Sequence, residues 1–372
     1  MAPLWSCQPF KAIYAVFFLL AAPPRLTLLF LLYLAKPLRP LPEWSVKANI
    51  VSAMLRMSSQ YSTATRSQRL LYSDPRTAKE RHSRVEPPPQ DLFTGVLEGS
   101  KHHGIEPAPV DVVWFPSPAP RDVAELQKQK VVLYFPGGAF VIGFSYGLLG
   151  KNAADSFAAH MKQSRTVWAQ YRLSGTPETR FPAALQDAVT SYHYLLSLGI
   201  DPGNIILSGD SAGGNLALAL LRYLESSSSP LPLPGGAVVF SPWVHVTAHA
   251  GHDYEQSKNS LSDALSAPLL QWGAESYLPL EAAEDTQPYI SPLHHPFKLS
   301  TPLFIQAGTA EGFHDDIKSF AQEMAQLNGH RVKFHATPLA PHDLVFNHKL
   351  FGMTEEMNGA TKEACKFLEQ RV

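Results

Sequence analysis

A strand-like run, a serine-containing turn and a helix-like run succeed one another between residues 205 and 224, and this succession limits the fold more than any other feature. The turn reads Gly209-Asp210-Ser211-Ala212-Gly213. Glycines on both sides of the serine permit a sharp turn and a close approach by a substrate. The first N–H groups of the following helix favour developing negative charge beside the serine. The pattern therefore predicts a nucleophile elbow with Ser211 as the nucleophile.

The rest of the chain alternates between strand-like and helix-like runs. Strands are predicted at residues 110–115, 131–135, 166–170, 205–207, 237–240, 303–307 and 332–335, and helices at 46–57, 183–198, 216–224, 317–327 and 361–369. Such alternation predicts a mostly parallel sheet covered by helices on both faces.

Three regions follow from this organisation. Residues 1–42 form an apolar and proline-rich N-terminal segment, and residues 43–109 are expected to form a cap over the active site. Residues 110–372 are expected to form the catalytic domain. Residues 244–291 show no clear strand between two sheet elements, so we expect a helical insertion there that completes the cap.

A second glycine-containing turn, Pro136-Gly137-Gly138, follows the strand predicted at residues 131–135. In acyl transfer a carbonyl oxygen becomes an anion, and backbone N–H groups must already point at it. We expect the N–H groups of Gly137, Gly138 and Ala212, the residue after the nucleophile, to bind this oxyanion.

These motifs give the chain a family resemblance. It resembles the hormone-sensitive-lipase family of α/β-hydrolases in the Gly-Gly-Ala turn, in the Gly-Asp-Ser-Ala-Gly-Gly elbow, in Tyr171-Arg172-Leu173, in the Phe-Pro-Ala-Ala run at residues 181–184, and in Ser241-Pro242-Trp243. The resemblance runs from about residue 131 to residue 342. It implies an α/β-hydrolase fold with a helical cap and a serine esterase activity. The N-terminal segment is similar to that of arylacetamide deacetylase and fungal steryl acetyl hydrolases.

One position departs from the family pattern. Pro136 stands where the family has a histidine that braces the oxyanion turn. Proline lacks an N–H donor and that histidine's side-chain bond, but it fixes one backbone torsion. The departure puts the geometry of the turn in question and leaves open a reduced activity.

The catalytic acid is expected between the serine and the base, since an elbow of this kind is followed by Asp or Glu and then His. Glu311 lies in the loop after the strand predicted at residues 303–307, where the family usually has aspartate. Its carboxylate would hold the imidazole in the required tautomer and stabilise its charged form. Asp315 and Asp316 are alternatives, but we expect them to cap the helix that starts near residue 317.

The candidate base is His342, which lies in a loop directly after the last predicted strand. A mobile, exposed base is expected in such a loop. It would take the proton from Ser211 and later give it to the leaving alcohol. The alternatives are the other histidines near or after Glu311, namely His314, His330, His335 and His348.

Composition limits the partners. The formal net charge is −1, so nothing indicates nucleic-acid binding. Cys7 and Cys365 are not expected to form a disulfide, and the chain contains no Asn-x-Ser/Thr glycosylation sequon, which fits a cytosol-facing catalytic domain. The pairs His102-His103 and His294-His295 lack the spacing of zinc ligands, and no dinucleotide fingerprint occurs. We therefore predict no metal and no cofactor; the sequence does not indicate an oligomeric state.

The N-terminal segment contains two apolar runs, residues 12–22 and 26–35, separated by Pro23-Pro24-Arg25. Neither run alone is long enough to span a bilayer. Three interpretations remain open: a kinked spanning anchor, a hairpin lying in one leaflet with Arg25 at the headgroups, and a cleaved signal peptide. We expect contact with membrane lipid, and a location at the endoplasmic reticulum.

Together these features predict a membrane-associated serine esterase that acts on a small-molecule ester. The resemblance implies a short acyl group such as acetyl, and the anchor suggests a hydrophobic alcohol such as a sterol or a secondary metabolite. Alternatives are hydrolysis of a lactone or an amide, because their tetrahedral intermediates are alike. A further alternative is a catalytically impaired small-molecule-binding member of the family, since Pro136 departs from its pattern.

Overall fold

The computed structural model describes residues 3–69, 71–98, 104–120, 122–281 and 283–370. Within these ranges eight strands form one sheet in the order β1-β2-β4-β3-β5-β6-β7-β8. The strands are β1 (His82–Val85), β2 (Val110–Phe115), β3 (Val131–Phe135), β4 (Arg165–Gln170), β5 (Ile205–Asp210), β6 (Gly236–Phe240), β7 (Leu303–Gly308) and β8 (Val332–Thr337). β2 pairs antiparallel with β1 and β4, and every other neighbouring pair is parallel. The predicted α/β-hydrolase fold with a mostly parallel sheet is confirmed.

The described residues also form twelve α-helices. They are α1 (Phe10–Leu34), α2 (Val46–Ala64), α3 (Val123–Gln127), α4 (Lys151–Ala158), α5 (Ala183–Ser197), α6 (Ser211–Glu225), α7 (Ala250–Glu255), α8 (Ala267–Tyr277), α9 (Gln287–Ile290), α10 (His314–Asn328), α11 (Leu344–Phe351) and α12 (Thr354–Glu369).

Helices cover both faces of the sheet because successive strand residues point to opposite sides. In β3, Val131, Leu133 and Phe135 belong to one apolar cluster, together with residues of α5, α6 and α10. Val132 and Tyr134 belong to the opposite cluster, with residues of α4, α11 and α12. β3, β5, β6 and β7 are therefore buried on both sides, which explains their mostly apolar sequences, whereas the edge strand β8 is partly exposed.

Strand β1 is an element that the sequence did not predict. It lies inside residues 43–109, the region expected to form the cap, yet it pairs with β2 at the edge of the main sheet. Its sequence, His-Ser-Arg-Val, has one buried residue, Val85. A short polar edge strand carries almost no hydrophobic signal, because its hydrogen bonds to the neighbouring strand do not require an apolar sequence.

Helix α10 differs from the prediction at its first turn. It begins at His314, so Asp315 and Asp316 lie inside the first turn, and the residue at the cap position, Phe313, makes no side-chain capping bond. The prediction that the two aspartates cap the helix is wrong in this detail. Their charges still lie near the positive end of the helix dipole, as favourable electrostatics requires.

The insertion at residues 244–291 contains α7, α8 and α9, and no strand among its described residues. Helix α2 packs beside it, where the Ser52 hydroxyl donates to the Ser262 carbonyl over 2.5 Å. The hydroxyls of Ser59 and Ser266 lie 2.9 Å apart. The segment predicted as the first part of the cap therefore does contact the segment predicted as the second part.

The N-terminal segment forms one helix. Pro23 and Pro24 lie inside α1 rather than between two separate runs, so a hairpin turning at these prolines is not the observed conformation. Each proline lacks an N–H group, yet the helix continues through them. By length and composition α1 can cross a membrane, although a signal sequence would have the same properties.

Candidate active site

The predicted elbow occurs at the junction of β5 and α6. Strand β5 ends at Asp210 and the helix begins at Ser211, whose φ of 50° is unusual for a residue with a side chain. Strain of this kind is typical of a nucleophile held at a strand-to-helix turn. A Cβ atom at Gly213 would collide with the carbonyl of Phe135, which explains why the turn needs glycine there.

A continuous chain of hydrogen bonds joins the three predicted catalytic residues. The Oγ atom of Ser211 lies 3.0 Å from Nε2 of His342. The Nδ1 atom of His342 lies 2.9 Å from Oε2 of Glu311. The second carboxylate oxygen of Glu311 accepts the N–H of Gly308 at 2.9 Å, which fixes the carboxylate from the other side.

The competing histidines lie elsewhere. His314 contacts Asp315, and His335 contacts Glu363. His348 interacts with carbonyls of its own helix, and His330 lies in a short turn at Gly329–Arg331. Asp315 and Asp316 likewise pair with other groups, so of the predicted candidates only His342 and Glu311 form the chain to Ser211.

The three residues are buried, with Ser211 3%, His342 2% and Glu311 0% exposed. The expectation of an exposed, mobile base is therefore wrong: Asn347 holds the loop carbonyl of His342, and the Phe313 ring packs edge-on against the imidazole. Burial strengthens the electrostatic interactions within the triad because water is excluded.

Burial raises the pKa of Glu311 to about 7, although its hydrogen bond from His342 acts in the opposite direction. Burial lowers the pKa of His342, but the carboxylates of Asp343 and Glu311 outweigh this effect and raise it above the usual range. The two carboxylates therefore favour the charged imidazole, as the predicted role of a general base requires.

Asp343 is a charged neighbour that the sequence interpretation missed. One of its carboxylate oxygens lies 3.3 Å from Nε2 of His342, the nitrogen that also faces Ser211. Its other carboxylate oxygen is buried without a hydrogen-bond partner. The only signal in the sequence is its position directly after the histidine.

The structure contradicts the prediction that the N–H of Gly137 binds the oxyanion. The N–H of Gly137 donates to Oδ2 of Asp210 at 3.0 Å, so it is not available to an oxyanion as predicted. A Cβ atom at residue 137 would collide with that carboxylate, which explains the glycine. The N–H groups of Gly138 and Ala139 have no partner among the described residues, and Ala139 adopts a φ of 51°.

Ala212 fits its predicted position. It is the second residue of α6, so its N–H precedes the first intrahelical hydrogen bond and is free to face the site. The N–H groups of Gly138, Ala139 and Ala212 are therefore the candidates for binding an oxyanion at Ser211. Ala139 replaces Gly137 among these candidates because the N–H of Gly137 is hydrogen-bonded to Asp210.

Asp210 holds the oxyanion turn through its side chain. Its side chain is fully buried and accepts the Tyr134 hydroxyl at 2.8 Å as well as the N–H of Gly137. Burial, reinforced by the charge of Asp343, raises the pKa of Asp210 well above its usual range. A buried acid directly before the nucleophile was the available signal for this role.

Pro136 is held through its carbonyl. The Tyr171 hydroxyl donates to this oxygen over 2.7 Å, in the interior of the protein. The turn is thus tied by the Pro136 carbonyl and the Gly137 N–H. Neither bond needs the N–H that proline lacks.

An aromatic wall encloses the site on the cap side. Phe140, just after the oxyanion turn, stacks on Tyr277 of α8 with ring centroids 3.6 Å apart. It also packs against the ring of Trp243. The backbone N–H of Trp243 donates to the Ser211 carbonyl at 2.9 Å. Phe140 directly follows the oxyanion turn and Trp243 is hydrogen-bonded to Ser211, so these rings belong to the surroundings of the nucleophile.

A cavity of about 310 Å³ lies behind this wall, lined by Trp243, Phe313 and polar residues of α7 and α10. None of the three triad residues lines it, because Phe313 separates it from His342.

No cluster that could hold a metal occurs among the described residues. His294 pairs with Glu323, and His295 faces backbone carbonyls. The pair His102-His103 lies outside the described residues.

Comparison with known proteins identifies the scaffold. Residues 132–346, more than half of the chain, match a protein family described as alpha/beta hydrolase fold. The chain belongs to the α/β-hydrolase family. This hydrolase is 35% identical to an acetyl-hydrolase of Streptomyces hygroscopicus over 57% of its own length and 67% of that protein. It is 32% identical to an esterase of Acinetobacter venetianus, over 57% and 66% of the two chains.

A solved structure extends the likeness. The crystal structure of an esterase from the bacterial hormone-sensitive lipase family matches with a TM-score of 0.60 and 25% identity, covering 88% of this hydrolase and 98% of that chain. The hydrolase spans about two thirds of both curated relatives. Its predicted place in the hormone-sensitive-lipase family is confirmed, and it is a carboxylic ester hydrolase.

Proposed function

We propose that this hydrolase cleaves short-acyl esters through a Ser211-His342-Glu311 triad and an acyl-enzyme intermediate. The observation that carries the proposal is the unbroken chain of contacts from Ser211 Oγ through His342 to Glu311. A nucleophile, a base within hydrogen-bond reach and a carboxylate that orients the base are the parts that this chemistry requires.

The reaction proceeds in two halves. His342 takes the proton of Ser211 as its Oγ attacks the ester carbonyl, and the N–H groups of Gly138, Ala139 and Ala212 bind the resulting oxyanion. The intermediate collapses by breaking the bond to the alcohol, which receives the proton from His342. Water then attacks the acyl-enzyme by the same route and releases the acid and Ser211.

The acyl group in this proposal is short, with acetyl the preferred example. We infer that the stacked rings of Phe140 and Tyr277, with Trp243 beside them, limit the size of the acyl group. The similarity to an acetyl-hydrolase supports the same size class. An aromatic wall disfavours long acyl chains because it cannot yield without losing its own packing.

The alcohol is proposed to be hydrophobic, such as a sterol or a secondary metabolite, and to reach the enzyme at a membrane. The long apolar helix α1, exposed along its length, supports this part. A membrane-associated location, with the endoplasmic reticulum as the specific proposal, follows from the same helix.

The test is hydrolysis of p-nitrophenyl esters from acetate to palmitate. We expect the rate to be highest with the shortest acyl groups and to fall by about 10⁴-fold or more in Ser211→Ala, because the nucleophile is lost. Ser227→Ala, a change in an exposed loop, serves as the matched control and should leave the rate unchanged.

Equal rates for Ser211→Ala and the unaltered chain would refute the mechanism, and a maximum at palmitate would refute the short-acyl part. Parallel assays of an acetyl ester, a lactone and an amide of one scaffold distinguish the ester from the two alternative bonds. Absence of all hydrolysis would favour a binding protein.

A further inference from the structure

Helix α1 has two distinct faces. Ile13, Val16, Phe17, Leu20, Leu28, Leu31 and Leu34 are each more than half exposed, and their spacing places them on one side of the helix. Tyr14, Phe18 and Tyr33 lie on the other side. Such a broad exposed apolar face is stable in contact with another apolar medium rather than with water.

The second face of α1 packs along α2 for most of its length. The rings of Tyr14 and Phe18, near the start of α1, lie 5.9 Å and 4.8 Å from the ring of Tyr61, near the end of α2. At the opposite end, Arg25 and Tyr33 line a cavity together with Asn49 of α2. The two helices are therefore antiparallel neighbours.

Helix α2 is in turn fixed to the cap. The guanidinium of Arg56 donates to the backbone carbonyls of Ser260 and Asp263. The Ser52 hydroxyl donates to Ser262. Helix α1 thus lies along the surface of the hydrolase and does not project from it.

The charges of this region are one-sided. Residues 1–69 contain eight lysines and arginines and a single acidic residue, Glu43, although the whole chain has a net charge of −1. Arg25 of α1, Lys47 of α2 and Lys36 between the two helices are among the exposed basic side chains. An apolar face bordered by basic groups complements a leaflet with anionic headgroups.

We propose that α1 and α2 lie parallel to the membrane, with the apolar face of α1 in one leaflet and the basic side chains at anionic lipid headgroups. The inference rests on the membrane association in the proposed function, and it adds the orientation and the lipid class. The hydrolase and Cys7, just before α1, then lie on the same side of the bilayer.

A spanning orientation conflicts with the packing of the two helices. A helix of 25 residues is about 37 Å long and would fill the ~30 Å hydrocarbon layer. Its neighbour α2, with Lys47, Arg56 and Gln60, would then lie at hydrocarbon depth, where such side chains are costly. In the parallel orientation these groups remain outside the acyl chains.

The orientation also brings the membrane close to the catalytic loops. Trp44, two residues before α2, donates its indole N–H to the carbonyl of Leu339 at 2.7 Å. Leu339 precedes His342 by three residues. A hydrophobic alcohol dissolved in the leaflet would therefore be near the hydrolase without first entering water.

Cys7 allows a direct test, because it is exposed whereas Cys365 is buried. The full chain is synthesised with sealed microsomes, a membrane-impermeant maleimide reports the side of Cys7, and protease protection reports the side of the hydrolase. Cys7→Ser provides the background. Finding Cys7 and the hydrolase on the same side of the membrane supports the proposal. Finding them on opposite sides would show that α1 spans the bilayer and would overturn the proposal.

Depth along α1 gives a second readout. Leu20→Cys and Leu31→Cys, each in the Cys7→Ser chain, carry a fluorophore that is quenched by nitroxide lipids of different depth. A parallel helix gives the same depth at both sites, whereas a helix along the membrane normal separates them by about 16 Å. Absence of lipid quenching at both labelled sites, together with disulfide-linked dimers when the unlabelled variants are treated with an added oxidant, would show that a second copy covers this face.

Charge reversal tests the lipid class. Lys36→Glu with Lys47→Glu should lower binding to phosphatidylserine-containing vesicles by about fivefold or more, since each basic group near the surface contributes measurably. Lys362→Glu on α12 is the control, and equal losses in both variants would contradict the role of anionic headgroups. Hydrolysis of p-nitrophenyl acetate by the unaltered chain is measured in detergent in parallel. Absence of this hydrolysis would refute the catalytic proposal, whereas finding Cys7 and the hydrolase on opposite sides of the membrane would refute only the orientation.

Discussion

Glu311 and Asp210 are two fully buried carboxylates on opposite sides of Ser211. Glu311 faces His342, which gains a proton in the proposed mechanism. Asp210 faces the Tyr134 hydroxyl and the N–H of Gly137, which stay uncharged. The same type of side chain thus supports the proton-transfer side in one case and the oxyanion side in the other.

The partners explain the difference. Burial raises the pKa of both carboxyl groups, and the charge of His342 acts against this rise in both, but only Glu311 is hydrogen-bonded to the imidazole. Asp210 instead fixes a backbone turn by accepting two hydrogen bonds. The comparison teaches that a buried acid beside a nucleophile can act through charge or through backbone position, and the partner decides which.

The largest effect is expected from Glu311→Gln. Losing the carboxylate that holds His342 in its tautomer should lower kcat by about 10⁴-fold. Glu311→Asp retains the charge but withdraws it by one methylene, so an intermediate loss is expected. Steady-state kinetics on p-nitrophenyl acetate measure both, with the exposed Glu356→Gln as control. A loss below tenfold in Glu311→Gln would assign the acid to another residue.

Asp210→Asn is expected to have a smaller effect. The amide can no longer accept from both Tyr134 and Gly137, so the oxyanion turn shifts and kcat falls by about 10²-fold. Tyr134→Phe, which removes a single donor, should cost less. The pH profile of kcat/KM should keep its shape, because the base His342 is unchanged. A shift of the low-pH part of this profile in Asp210→Asn would show that Asp210 also acts on proton transfer, which would contradict its assignment to the oxyanion side.

Asp343→Asn should change the pH profile more than the maximal rate. The Asp343 carboxylate raises the pKa of His342, and catalysis needs the neutral imidazole. Removing the charge lowers that pKa, so the acid limb of kcat/KM moves to lower pH. Asparagine tolerates the left-handed backbone of residue 343. Asp315→Asn, which removes an exposed carboxylate, is the control. If the low-pH limb of the kcat/KM profile does not move in Asp343→Asn, Asp343 does not influence the pKa of His342.

The smallest effect is expected from Pro136→His, which introduces the residue typical of the family. The turn is tied through the Pro136 carbonyl and the Gly137 N–H, so kcat should stay within about threefold of the original. A gain of tenfold or more in ester hydrolysis would mean that proline does limit the oxyanion side.

The proton-transfer side was predicted more completely than the oxyanion side. Ser211, Glu311 and His342 each follow a predicted strand in a fixed order along the chain, so local context located them before any contact was known. The assignment of Gly137 was wrong because its N–H partner, Asp210, lies 73 residues away. Ala139 was missed for the same reason.

The sequence by itself determined the elbow, the buried strands and the order of the triad. These features depend on neighbouring residues, through hydrophobic periodicity and the turn preferences of glycine. Only the tertiary structure decided which N–H groups remain unpaired, that Asp343 faces His342, and that α1 lies along α2. Those properties arise when distant segments compete for the same hydrogen-bond partners and apolar surfaces, and a linear pattern does not record that competition.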